Sequence, residues 1–65
     1  MNKKQQLHRD LRLVFDELQK FRKSHPDAWR IINQNLTKNG STTLTDADAA
    51  LFYALEMIEE TDFEN

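Results

Sequence analysis

Leu7, Leu11, Val14, Leu18 and Phe21 recur at spacings of 4, 3, 4 and 3, and no other feature constrains this chain as much. The spacing is the a/d seam of a heptad pattern, and it predicts a long helix with one stripe meant for another helix. At 100° per residue the five side chains fall within an arc of roughly 80°. Arg9, Arg12, Lys20 and Lys23 project from nearly the opposite side. Asp16 stands among them, four residues after Arg12 and four before Lys20, where i,i+4 pairing supports that face. Leu13 and Phe15 flank the seam and widen the apolar surface beyond what one partner helix would cover.

Punctuation then divides the chain into three helices, over about 3–24, 26–38 and 45–60. The residue before a proline avoids the α region, so Pro26 ends the first helix near Ser24 or His25. Pro26 is suited to the first position of a second helix, with Asp27 at its positive end. That helix carries Trp29, Ile32 and Leu36 on one side, with Ile31 beside them, and should stop at Lys38-Asn39-Gly40 through a left-handed glycine. Leu44-Thr45-Asp46-Ala47-Asp48 reads as a hydrophobic staple, an N-cap at Thr45 and an acid at N3. Ala47, Leu51, Ala54 and Ile58 form a second seam, with Phe52, Leu55 and Met57 broadening it. The acidic tail, 61–65, should fray.

Size limits what these helices can bury. A chain of 65 residues is one domain and hides only about 60% of its unfolded surface. Small domains add disulfides, a metal or a partner subunit. There is no cysteine, and His8 and His25 stand 17 positions apart, so neither a disulfide nor a structural zinc is expected. Idealised helix packing or self-association remains, and self-association is the expectation. Charge points the same way: residues 1–30 carry eight bases against four acids, and residues 31–65 carry Lys38 against seven acids, giving +4 and −6. Such halves can dock antiparallel within one chain or between two copies.

Catalysis finds no support. There is no glycine-rich phosphate loop, no HExxH, no GxSxG and no cysteine nucleophile, and Asp46 and Asp48 are explained by capping. No enzyme, cofactor or metal site is expected. The basic stripe could follow phosphates, but it is more simply the solvated face opposite a core. A helix-turn-helix needs a short turn, whereas Asn39 to Thr43 is long and the third helix is acidic, so nucleic acid is not the expected partner. Met1-Asn2-Lys3-Lys4-Gln5-Gln6 has no apolar run behind it, which predicts neither a signal peptide nor a membrane span. The lack of cysteine fits a reducing cytoplasm.

The remaining function is helix-mediated association. The expected architecture is an all-α bundle of three helices completed by homodimerisation, or a higher homo-oligomer. Leu7, Leu11, Val14, Leu18, Phe21 and Trp29 would form the self-association interface. Arg9, Arg12, Lys20 and Lys23 would supply electrostatic contacts to Glu56, Glu59 and Glu60. Met57 and Ile58 should continue the core, Tyr53 should lie at its edge, and Phe63 is either a free anchor or folded back.

From Met1-Asn2-Lys3-Lys4-Gln5-Gln6-Leu7 through Ala28-Trp29-Arg30-Ile31-Ile32 to the acidic tail, the chain resembles small early proteins of lambdoid bacteriophages. These are encoded between the exonuclease and excisionase genes and act as lysogenization regulators. The resemblance implies an all-helical protein in the cytoplasm of an infected bacterium, binding host or phage regulatory proteins. It would favour lytic development by interfering with the lysis–lysogeny decision and the host cell cycle. It carries over no catalytic residue. A more local similarity, Leu44-Thr45-Asp46 followed by Ala50-Leu51-Phe52-Tyr53, resembles the Hha/YmoA modulators that bind the nucleoid protein H-NS. That similarity implies a nucleoid-associated modulator instead.

Overall fold

The corner between the first two helices forms where the proline demands it. In the computed structural model, which describes residues 3–63, α1 runs Lys3–Ser24, α2 Pro26–Lys38 and α3 Leu44–Glu60. His25 takes φ −134° and ψ 63°, outside the α region as a residue preceding proline must be. The backbone ladder still bridges the corner: the His25 amide donates to the Phe21 carbonyl and the Trp29 amide to the His25 carbonyl, both at 2.9 Å. Pro26 opens α2, where its missing N–H has no partner to lose.

The end of α2 is a Schellman turn. Gly40 adopts φ +70°, its amide donates to the Thr37 carbonyl at 3.0 Å, and the Ser41 amide donates to the Leu36 carbonyl at 2.9 Å. The start of α3 corrects the expectation. The N-cap is Thr43, not Thr45, and Asp46 rather than Asp48 closes the capping box. The Thr43 hydroxyl accepts from the Asp46 amide and the Asp46 carboxylate accepts from the Thr43 amide, each at 3.1 Å. The deciding contact comes from α2. Asn33 accepts from the Leu44 amide at 2.7 Å and donates to the Thr45 hydroxyl at 3.0 Å, which fixes the N-cap two residues earlier than expected.

α1 and α3 form an antiparallel pair. Lys4 donates to the Glu59 carbonyl at 3.0 Å at one end, and Arg22 lies 3.5 Å from the Asp48 carboxylate at the other. α2 crosses the Asp48 end and inserts Trp29, whose ring sits 6.4 Å from that of Phe21 with the Arg22 guanidinium 5.3 Å from its centre. The all-α, three-helix fold is therefore as expected, and the described residues contain no strand.

The pairing leaves the molecule flat. Its Cα atoms span 42 × 25 × 13 Å. Three helices closed into a triangle would instead have a cross-section of about 13–14 Å on each side. The radius of gyration is 14.4 Å, against about 11 Å for a compact chain of this length. Among the described residues only Trp29 and Leu55 are buried, each 7% exposed. Every other apolar side chain remains partly in contact with solvent.

Candidate functional site

The α1–α3 contact takes in much of both seams: Leu7, Leu11 and Leu18 of α1 and Ala47, Leu51, Ala54 and Ile58 of α3 are half-buried. On α1 it also takes in Lys4, His8, Phe15 and Gln19, half-buried on one flank of the seam, while Val14 is 53% exposed on the other. On α3 the buried Leu55 and half-buried Asp48 flank the seam, and Phe52 and Glu59 stand exposed at its margin. Polar groups close both ends of this contact. His8 lies 3.7 Å from the Glu59 carboxylate, and Gln19 donates to the carboxylate of Asp48, which Arg22 also approaches. The +4 and −6 halves thus dock within one chain.

Leu7, Leu11 and Val14 of α1 line a groove with Ile58 of α3 and Phe63, and Asp10 is the single polar side chain at its edge. Val14, at the middle of the seam, is 53% exposed, whereas Leu55, one of the residues expected only to broaden the second seam, is buried. Phe63 folds back onto this groove and is half-buried. The Thr61 hydroxyl donates to the Met57 carbonyl at 2.6 Å, so the described part of the tail, 61–63, is tied to α3. The rest of the tail, 64–65, lies outside the described residues.

Three further expectations need correction. Trp29 belongs to the α1–α2 junction and is already covered by its own chain, so it is not on offer to a second copy. Met57 is 58% exposed instead of continuing the core, because a position two residues from the buried Leu55 lies on the opposite side of the helix. The basic stripe does not reach the third-helix acids. Arg12 pairs with Asp16 at 3.1 Å, Lys20 with Glu17 at 3.3 Å and Arg9 with Asp10 at 3.8 Å, all within α1. Lys23, Glu56 and Glu60 make no ion pair among the described residues. Of the three third-helix acids singled out, only the Glu59 carboxylate meets α1, through His8, while Lys4 donates to the Glu59 backbone carbonyl.

On the side of the α1–α3 contact away from the seam groove, Phe52 lines a shallow hollow with Phe15, Arg12 and Glu56. Phe52 and Tyr53 stack edge-on at 5.8 Å, and Tyr53 is 65% exposed. Periodicity placed Phe52 on the seam's margin but gave no reason for two aromatic rings to stand in water. Among the described residues no group of three or more histidine or acidic side chains could hold a metal ion, and no helix is long and apolar enough to cross a membrane. No protein-family model, curated protein or solved structure matches the chain.

Proposed function

We propose that this chain is a non-enzymatic regulatory protein that works by binding other proteins through its helical surface. Its resemblance to the lysogenization regulators of lambdoid phages supplies the setting: the cytoplasm of an infected bacterium, with a host or phage regulator as target. The observation that carries the reading is the exposure of large apolar side chains. Leu13, Val14, Phe52, Tyr53 and Met57 stand at least half in solvent on a chain with few apolar residues to spare. Phe52 stacks on Tyr53, and Met57 stands one turn beyond Tyr53, so these three form one exposed apolar patch on α3, and a patch of this kind marks association. The Phe52–Tyr53 pair, with unpaired Glu56 next to Phe52 in the hollow, is suited to a protein target that offers an apolar pocket rimmed by bases.

The test is expression of the chain in a bacterium infected with a lambdoid phage, scored by the frequency of lysogens. The reading predicts fewer lysogens, with the frequency restored by the Phe52→Ala, Tyr53→Ala double variant at unchanged helical content. An unaltered frequency for the wild-type chain would overturn it. The nucleoid alternative makes a separate demand, a salt-dependent shift of non-specific DNA. The pairing of Arg9, Arg12 and Lys20 within α1 weighs against it, and no shift is expected even at low salt.

A further inference from the structure

We infer that the outward side of α3 docks a basic amphipathic helix of another protein, laid along it with lysines and arginines against Glu56 and Glu60. The inference deepens the protein-binding reading above, rests on it, and names the chemistry of the partner. Ala49, Tyr53, Glu56, Met57 and Glu60 fall within an arc of about 100° on the side of α3 opposite Leu51 and Leu55, and all five are exposed. Phe52 borders this arc and stacks edge-on against Tyr53, with 5.8 Å between ring centres. Tyr53 is 65% exposed and Met57 58%, so the chain itself covers little of either. From Ala49 to Glu60 the stripe is about 16 Å long, or three helical turns.

Charge selects the occupant. α3 carries the acids Asp46, Asp48, Glu56, Glu59 and Glu60 and no lysine, arginine or histidine. Asp48 is met by Gln19 and Arg22, and the Glu59 carboxylate by His8. Glu56 and Glu60 have no ion-pair partner among the described residues. Arg12, the base that shares the hollow with Glu56, is taken up by Asp16. An apolar stripe rimmed by two uncompensated carboxylates fits a surface of the complementary pattern, apolar at the centre and basic at the edge. Nucleic acid and anionic lipid are repelled by the same carboxylates. A second copy set on this face about a twofold axis would bring the acids of one stripe beside those of the other. A helix supplies the shape. Tyr53 and Met57, four residues apart, form a ridge beside the low Ala49 and Ala50, and ridges of this kind pack into the grooves of another helix.

Titration calorimetry with a defined probe tests the inference. The probe is a synthetic helical peptide of about 18 residues with leucines at i, i+3, i+4 and i+7 flanked by lysines, compared with the same peptide bearing glutamate for lysine. The lysine peptide is expected to bind one to one, less tightly as salt rises, and the glutamate peptide not to bind. Glu56→Gln with Glu60→Gln should weaken binding by at least about fivefold, and Tyr53→Ala with Met57→Ala by at least about tenfold. Leu13→Ala removes a side chain that is 59% exposed on α1 and should change it by under about twofold. All these side chains stand in solvent, so the fold is spared, which circular dichroism checks. No binding of the lysine peptide, equal binding of the two peptides, or as large a loss for Leu13→Ala as for Tyr53→Ala with Met57→Ala would overturn the inference. The lysogen assay separates it from the regulatory reading. Suppression of lysogens by a chain that ignores the lysine peptide would sink the basic helix and spare that reading. Capture of the peptide on this face by a chain without effect on lysogens would do the reverse.

Discussion

Thr43 and Thr45 are the same residue two positions apart, and each precedes an acid by three. The fold uses them differently. Thr43 satisfies an orphan amide at the α3 N-terminus, while the Thr45 hydroxyl accepts a hydrogen bond from Asn33. Thr43→Ala should therefore cost about 1 kcal/mol of stability, and Thr45→Ala about half of that or less. Urea-denaturation midpoints measure both, and the reverse order would contradict the assigned cap. The existence of a capping box was legible from the T-x-x-D pattern. Its register was not, because two copies of the pattern overlap and Asn33, eleven residues before Leu44, breaks the tie. The same limit applies to Trp29. Its hydrophobicity said that it would be covered, but only the turn at Pro26 showed that its own chain covers it.

At the scale of elements, sequence periodicity located each helix and the covered side of α3, and missed only how far α1 turns away from Val14. The stops at Pro26 and Gly40 act locally, through one restricted φ and one left-handed residue, so they could be read directly. Rotation about the helix axis is settled by two rows meeting, and on α3 the seam lies at the middle of the covered arc while on α1 that arc extends to Phe15 and Gln19. Polar contacts border it: Asp48 meets Arg22 and Gln19, His8 approaches the Glu59 carboxylate, and Lys4 donates to the Glu59 backbone carbonyl. Asp48 is the less exposed of these acids, with 21% of its side chain in solvent. Asp48→Ala should cost about 1–2 kcal/mol. Asp16→Ala, which breaks only the exposed pair with Arg12, should cost under about 0.5 kcal/mol. Thermal unfolding of the two variants at low ionic strength would show the difference; equal costs would mean that Asp48 does not fix the rotation.

For the whole molecule, a chain of 65 residues ends with two buried side chains among those described and a flat outline. A small domain without cysteine has few ways to complete a core, and a second copy supplies the missing apolar surface at once. We propose accordingly that a second copy completes the core, laid against the flat outline of the first. Small-angle X-ray scattering tests it most directly, because it reports mass and shape together. Stacking two layers with about 10 Å between their helix axes adds little to the 14.4 Å radius of one chain, giving about 15 Å at twice the mass. Forward scattering for two chains with that small increase is the predicted result. Forward scattering for one chain, or a two-chain particle of about 19 Å or more as edge-to-edge or end-to-end contact would give, would contradict it.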